Sequence, residues 1–512
     1  MSTRPVGCVV VAAVCLWVWL AWSAERSGPP PQVTVESGRL EGRLEGGIRV
    51  FRGIPYAAAP VGALRWRAPR PPLRWTGVRK AHAYGNDSPH LLQFLPGQDE
   101  DCLFLNVWAP EPRAAPYPVM VWIHGGGLVV GSGRLSPEAL VRRGVVVVSF
   151  NYRLGRLGSF AHPSLAAACP RGEAPANFWL LDQIAALKWV RANISAFGGD
   201  RSRVTVFGVS AGGSSVNLLL ASPLARGLFQ RAIAQSGVGG LGPFRRLRHD
   251  HQGRKSLLSV GTQYAHGMGI DDGPDAASAL RGLPWRTVAK LGSRVQEREG
   301  FEAVVDGVSL TDDVETVFAS GRQNRVPFIA GSNSFEGDLS RVLPWVDQPP
   351  RAQVAARLDR LAPLYGRRAD DPMLWDELYG DVFFRTSALN LVQQTAKSGT
   401  PAWNYYFDYV RQSNRKRSRG AGHGSEGAYV FDILVLPGAE DRAMARSMQG
   451  HWVRFAETGD PNGPGLPNWP RYSGAEPVTL VYSAGGIRAE TSLHAEQHGI
   501  LREAMREAWP AP

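Results

Sequence analysis

Ser210 sits in Val204-Thr-Val-Phe-Gly-Val-Ser-Ala-Gly-Gly213, where a short run of β-branched and aromatic residues enters a Gly-x-Ser-x-Gly turn. A turn of this kind between strand and helix strains the serine backbone and lifts its hydroxyl clear of the sheet, and glycines at 208 and 212 admit the close chain approach. A serine hydroxyl is a weak nucleophile near neutral pH. Acyl transfer therefore needs a base within hydrogen-bond reach, an acid to orient that base, and donors for the developing oxyanion. His124-Gly-Gly-Gly127 directly follows an apolar stretch at 119–123, and a glycine run there lets backbone N–H groups approach a substrate oxygen. The expected donors are the N–H groups of Gly126, Gly127 and Ala211.

For the base and acid, the chain order nucleophile, acid, histidine directs attention downstream of Ser210. His423 lies in Ala421-Gly-His-Gly-Ser-Glu426, a glycine-flanked loop after the strand-like stretch 403–409, where loops at strand ends place catalytic groups. His249 and His251 fall in a charged, irregular stretch, and His451 opens an amphipathic helix and reads as packing. Glu336, in Gly331-Ser-Asn-Ser-Phe-Glu-Gly337 after the apolar stretch 326–330, is the best-placed acid, with Asp306 and Asp338 as rivals.

These loops need elements to hold them. Residues 33–50 alternate like antiparallel strands, whereas 119–123, 145–150, 204–207, 232–235 and 326–330 are continuous apolar runs expected of buried parallel strands. Between them, Leu180, Ile184, Leu187, Val190 and Ile194 recur at helical spacing over 177–197 until Gly198-Gly199 stops the pattern. Strands alternating with helices predict an α/β fold: a central, mostly parallel sheet covered by helices on both faces. No internal repeat or low-complexity linker divides the chain, so residues 25–512 are expected to form a single catalytic domain.

The 512 residues are 44% hydrophobic and 9% aromatic, a composition with ample core and none of the marks of disorder. The net charge of +12 comes from scattered arginines without an aromatic–basic stripe, so no nucleic-acid partner is expected. One dense run, 411–419, reads as a solvated loop and leaves weak association with a membrane surface open. Arg4, an uncharged run over 5–22 and Ala21-Trp-Ser-Ala24 make residues 1–24 a signal peptide with cleavage favoured after Ser23, an uncleaved anchor being the alternative; a secreted protein is expected. Outside that segment only Cys102 and Cys169 remain, enough for one bridge at most, and Asn86-Asp-Ser88 and Asn193-Ile-Ser195 are glycosylation sequons. Gly237-Val-Gly-Gly-Leu-Gly242 fits a dinucleotide pattern but opens no convincing helix, and His494 and His498 read as a solvated helix face. No metal and no cofactor are expected; the partner is a small-molecule ester.

The chain resembles the type-B carboxylesterase and lipase family, which includes cholinesterases. The resemblance rests on Phe51-Arg-Gly-Ile-Pro-Tyr-Ala57, Glu100-Asp-Cys-Leu-Phe-Leu-Asn-Val107, Trp122-Ile-His-Gly-Gly-Gly127, Asn151-Tyr-Arg-Leu-Gly155, Phe197-Gly-Gly-Asp200, Gln235-Ser-Gly237 and Gly459-Asp-Pro-Asn462. It implies an α/β-hydrolase fold with Ser210 as nucleophile, Glu336 as acid and His423 as base, and an oxyanion hole of Gly126, Gly127 and Ala211. Three departures stand out. Val209 replaces the glutamate that family members commonly carry before the serine, which predicts weaker attraction for cationic esters and a preference for neutral ones. No cysteine lies between Glu25 and Asp101 to pair with Cys102, and the loop before it lacks the choline-holding tryptophan of cholinesterases. Phe178-Trp179 and Ser159 also replace residues usual in the family, with consequences for packing or pocket shape.

Overall fold

The computed structural model describes residues 29–90, 92–290, 302–337, 339 and 350–509, so the targeting segment 1–24 and the rival acid Asp338 lie outside the described residues. Eleven strands form the main sheet: β1 (Arg43–Glu45), β2 (Ile48–Pro55), β3 (Phe104–Ala109), β4 (Tyr117–Ile123), β5 (Val146–Phe150), β6 (Gly199–Val209), β7 (Arg231–Gln235), β8 (Phe328–Asn333), β9 (Ala402–Phe407), β10 (Val478–Ser483) and β11 (Gly486–Thr491). Their order across the sheet is β11-β10-β9-β8-β7-β6-β4-β5-β3-β2-β1. The stretch from β10 to β5 is parallel throughout. Antiparallel strands close both edges.

The parallel strands read as unbroken apolar runs because both of their faces are covered. Along β4, Val119, Val121 and Ile123 join one apolar layer while Met120 and Trp122 join the other. The same alternation splits Ala232 and Ala234 from Ile233, and Phe328 and Ala330 from Ile329. The helices that bear on the site are α1 (Phe178–Asn193), α2 (Ala211–Ala221), α3 (Pro372–Gly380), α4 (Thr386–Lys397), α5 (Ala439–Thr458) and α6 (Ala495–Ala508). Leu180, Ile184 and Leu187 of α1, Leu219 of α2 and Leu391 of α4 fill the first layer, and Met448, Trp452 and Phe455 of α5 fill the second. Each such side chain contributes about 1.5–3 kcal/mol when fully buried, which clamps the sheet from both sides.

Asn177 precedes α1 at φ 55°, a left-handed conformation that asparagine tolerates, and its amide exchanges hydrogen bonds of 2.7 and 2.9 Å with the backbone of Val304. The helix ends in a 3₁₀ turn, Ile194–Phe197, with Gly198 at φ 83°. The expected helical stretch is thus one α-helix and one tighter turn.

The surroundings correct one expectation and bear on three others. His494 and His498 do not form a solvated face: His498 is 4% exposed and its Nδ1 lies 2.9 Å from Thr386 Oγ1. Ile500, Leu501, Ala504 and Met505 of α6 pack on Leu374, Leu378 and Val382, which turns the histidine edge inward. The Asn193 sequon is closed to a glycan, because that buried amide donates to Trp189 O and accepts from Glu36 N. Asn86 stays exposed. Cys102 and Cys169 are both free, and burial pushes the Cys102 thiol up, so it stays protonated and unreactive. Gly237–Gly242 leads into a two-residue strand, Arg245–Arg246, rather than a helix.

Candidate active site

Ser210 occupies the junction between β6 and α2 at φ 59° and ψ −126°, outside the regions open to ordinary residues. Its N–H donates to Gln235 O at 2.9 Å, which ties the turn to β7. Space forces the flanking glycines. A Cβ on Gly208 would stand 2.6 Å from Ile123 O, and one on Gly212 only 2.1 Å from the same oxygen. The strain is therefore maintained by a close backbone packing between the elbow and the end of β4.

The glycine run leaves β4 at that same point. A Cβ on Gly125 would lie 2.7 Å from Val209 O and 3.1 Å from Ser210 Cβ, so the run lies directly against the elbow. Gly126 and Gly127 take φ 105° and 62°. His124 braces the start of the run: its ring stacks on Tyr152 at 4.2 Å, its carbonyl accepts the Tyr152 hydroxyl at 2.8 Å, and its Nδ1 donates to Gly125 O at 2.9 Å. Burial pushes the His124 pKa down to about 4, so the imidazole is neutral at physiological pH. Ala211 opens α2, where the first N–H groups have no partner within the helix and the dipole favours negative charge. This arrangement suits an oxyanion.

The acid and base candidates meet. Glu336, buried just beyond β8, accepts from Ser236 Oγ and from Asn333 N, both at 2.7 Å, through Oε1. Its Oε2 lies 2.5 Å from His423 Nδ1. The loops that carry them are stitched together: Phe335 N donates to Ala421 O (2.9 Å), Ala421 N to Ser334 Oγ (2.8 Å) and Asn333 Nδ2 to Gly422 O (2.7 Å). From the far side, the Phe384 ring stands 4.8 Å from that of His423, carried by a π-helical turn, Asp381–Arg385, between α3 and α4. The histidine loop also reaches the elbow, since a Cβ on Gly424 would stand 3.4 Å from Val209 Cγ2.

Other candidates lie elsewhere or do other work. Asp306 accepts from the N–H groups of Val308, Ser309 and Leu310 and so closes a turn, while His251 contacts Arg246. His451 is buried between Tyr482 and Pro467. Among the described residues no cluster of His, Cys, Asp and Glu could hold a metal ion. Two residues escaped sequence reasoning. Asn333 holds both Gly422 O and the Glu426 carboxyl (2.6 Å), and Glu426 is fully buried against Gln235 Nε2 (3.3 Å). Burial first, and Glu336 second, push the Glu426 carboxyl above its usual range. Its place three residues after His423 was the available signal.

The family departures are accommodated by packing. Trp179 joins the first apolar layer, Phe178 lies under the Arg153 guanidinium at 5.2 Å, and Ser159 Oγ donates to Glu302 O. Val209 packs against the second layer.

A model of the "Carboxylesterase family" matches residues 29–360 and 371–499. The chain belongs to the carboxylesterase family. It is 36% identical over 492 residues to a fumonisin B1 esterase of Sphingopyxis macrogoltabida, covering 88% of this chain and 86% of that one. Against a para-nitrobenzyl esterase of Bacillus subtilis the identity is 34%, over 88% and 94% of the two chains, and against a liver carboxylesterase of Sus scrofa 32%, over 89% and 90%. A solved PNB esterase superposes with a TM-score of 0.78 at 31% identity over 92% of this chain and 99% of that one. A Geobacillus stearothermophilus carboxylesterase gives 0.76 over 93% and 99%. This carboxylesterase therefore has the α/β-hydrolase fold and is a carboxylic ester hydrolase acting on small-molecule esters.

Proposed function

We propose that residues 25–512 form one exported serine carboxylesterase unit that cleaves neutral esters through an acyl-enzyme. The observation that carries this reading is the 2.5 Å contact between Glu336 Oε2 and His423 Nδ1, set beside the strained elbow of Ser210. With Nδ1 engaged, His423 Nε2 takes the Ser210 proton as Oγ attacks the ester carbonyl. Gly126, Gly127 and Ala211 N–H groups receive the oxyanion, the protonated histidine returns its proton to the leaving alcohol, and a water activated by the same base releases the acid. Glu336 holds the imidazole in its working tautomer. Val209 supports the preference for neutral esters: an aliphatic side chain, not a carboxylate, lies beside the His423 loop.

The test is hydrolysis of p-nitrophenyl acetate, butyrate and palmitate by this protein and by Ser210→Ala. Serine-dependent turnover, fastest on the short chains, is expected. Absence of it on every chain length refutes the enzyme and favours a binding module, and a palmitate preference favours action on lipid aggregates. Relatives named for fumonisin B1, phenmedipham and para-nitrobenzyl esters supply the next substrates to try. An exported product beginning at residue 24 is the expected result of N-terminal sequencing; full-length retention on membranes would favour the anchor instead.

A further inference from the structure

The loop between the helix Gly427–Phe431 and α5 carries Ile433, Val435 and Leu436, which are 56%, 75% and 89% exposed. A single exposed aliphatic residue needs no explanation, but three within four positions make a patch. The backbone that presents them is held in place. Leu436 takes φ 49°, a left-handed conformation that bulky side chains avoid. Arg411 Nη2 donates to the carbonyls of Val435 (2.9 Å) and Leu436 (2.8 Å), Arg442 Nη1 donates to Pro437 O (2.6 Å), and Leu434 alone turns inward onto the core. Strain maintained by surrounding bonds at an exposed apolar tip points to use rather than to a relaxed loop.

The charges around this tip are predominantly positive, with Asp432 the exposed acid beside Ile433. Two further acids are engaged, Asp441 by Arg411 at 3.2 Å and Glu440 by Arg415 at 2.6 Å. Lys416 and Arg417 remain exposed on the adjoining loop, and Arg442 and Arg446 are exposed one turn apart on α5. None of these four makes an ion pair among the described residues. An aliphatic tip rimmed by a surplus of cations, four against Asp432, matches the boundary of an anionic bilayer, where apolar groups enter below the headgroups and cations meet the phosphates.

We propose that this patch docks the protein on an anionic lipid surface, with Ile433, Val435 and Leu436 inserted and Lys416, Arg417, Arg442 and Arg446 on the phosphates. The docking is separate from ester cleavage, because no residue of the patch lies in the set around Ser210.

Amide hydrogen exchange of the full-length chain tests it, since this reports on the patch whatever the N-terminal segment does. With vesicles of phosphatidylcholine carrying about one-third phosphatidylglycerol, the amides of 432–436 and 438 are expected to exchange at least about fivefold more slowly than with phosphatidylcholine alone, the factor for roughly one cation at the surface. The triple variant Ile433→Ser, Val435→Ser, Leu436→Ser loses that protection and keeps its turnover of a soluble ester. Should it fail to fold, Lys416→Glu with Arg417→Glu leaves the tip intact and loses the dependence on anionic lipid. Equal exchange with both vesicles overturns the proposal. So does protection that grows with protein concentration without lipid, which would mark the patch as a contact between copies.

Discussion

Glu336 Oε2 and His423 Nδ1 lie 2.5 Å apart although 87 positions separate them in the chain. The contact exists because β8 and β9 are parallel neighbours whose C-terminal ends release both loops on the same edge. Replacing the carboxylate by an amide keeps the volume but, with its carbonyl oxygen held by Ser236 Oγ and Asn333 N, turns an N–H donor toward Nδ1, which would upset the proposed imidazole tautomer. Glu336→Gln is expected to lower kcat about 10⁴-fold with little change in KM. Steady-state kinetics on p-nitrophenyl butyrate check this, and an unchanged kcat would move the orienting role to another carboxyl, Glu426 first.

Gly126 combines φ 105° with a Cβ position only 2.2 Å from Val130 O. Alanine there must displace the loop and with it the N–H groups proposed to receive the oxyanion. Gly126→Ala should cost about 10²–10³ in kcat, the range for losing one such donor. Circular dichroism separates this from unfolding: retained secondary structure with retained kcat would remove Gly126 from the oxyanion site.

Acid should weaken this fold through its buried imidazoles. His124 and His451 are both pushed down to about 4 by burial, against about 6.5 in an unfolded chain. Both are neutral above that value in either state, so their packing is fully available there. Between about 6.5 and 4 only the unfolded chain takes up the protons, and stability falls by about 1.4 kcal/mol per pH unit for each group. Urea unfolding at several pH values should show this slope, and His451→Gln should flatten it by about one proton's worth; an identical slope would mean that His451 titrates normally in the fold.

On the proposed reading, charge selectivity should respond to the residue at Val209. A carboxylate at Val209 would face Gly424, next to His423. Val209→Glu should raise kcat/KM for cationic over neutral esters about fivefold, roughly 1 kcal/mol for a partly solvated charge pair. Paired assays of a choline ester and its uncharged isostere decide it, and an unchanged ratio would break the link between Val209 and neutral substrates.

The elbow was legible because its requirements are local: a β-branched run, a serine, and glycines where Ile123 O leaves no room for a Cβ. Glu336 and His423 were legible as loop residues following apolar runs, although the sequence left Asp306 and Asp338 in contention. Asn333 and Glu426 were not legible. Their importance lies in contacts such as that of Gln235 Nε2 with Glu426, 191 positions apart, and from sequence alone each looks like an ordinary loop residue. The outer part of β6 was missed because Asp200 to Arg203 point largely to solvent and add no apolar signal. His498 was misjudged for the opposite reason: its polar neighbours in sequence concealed the apolar face of α6 that packs on Leu374 and Leu378 and carries the ring to Thr386.

Cys102 and Cys169, buried and half-buried, are each free, so no covalent cross-link joins any two described parts of this fold. The architecture around Ser210 is thus indifferent to the redox state of the compartment in which it assembles. A reducing host should yield the same packed enzyme as an oxidising one, and thiol reagents at neutral pH should neither loosen nor inactivate it.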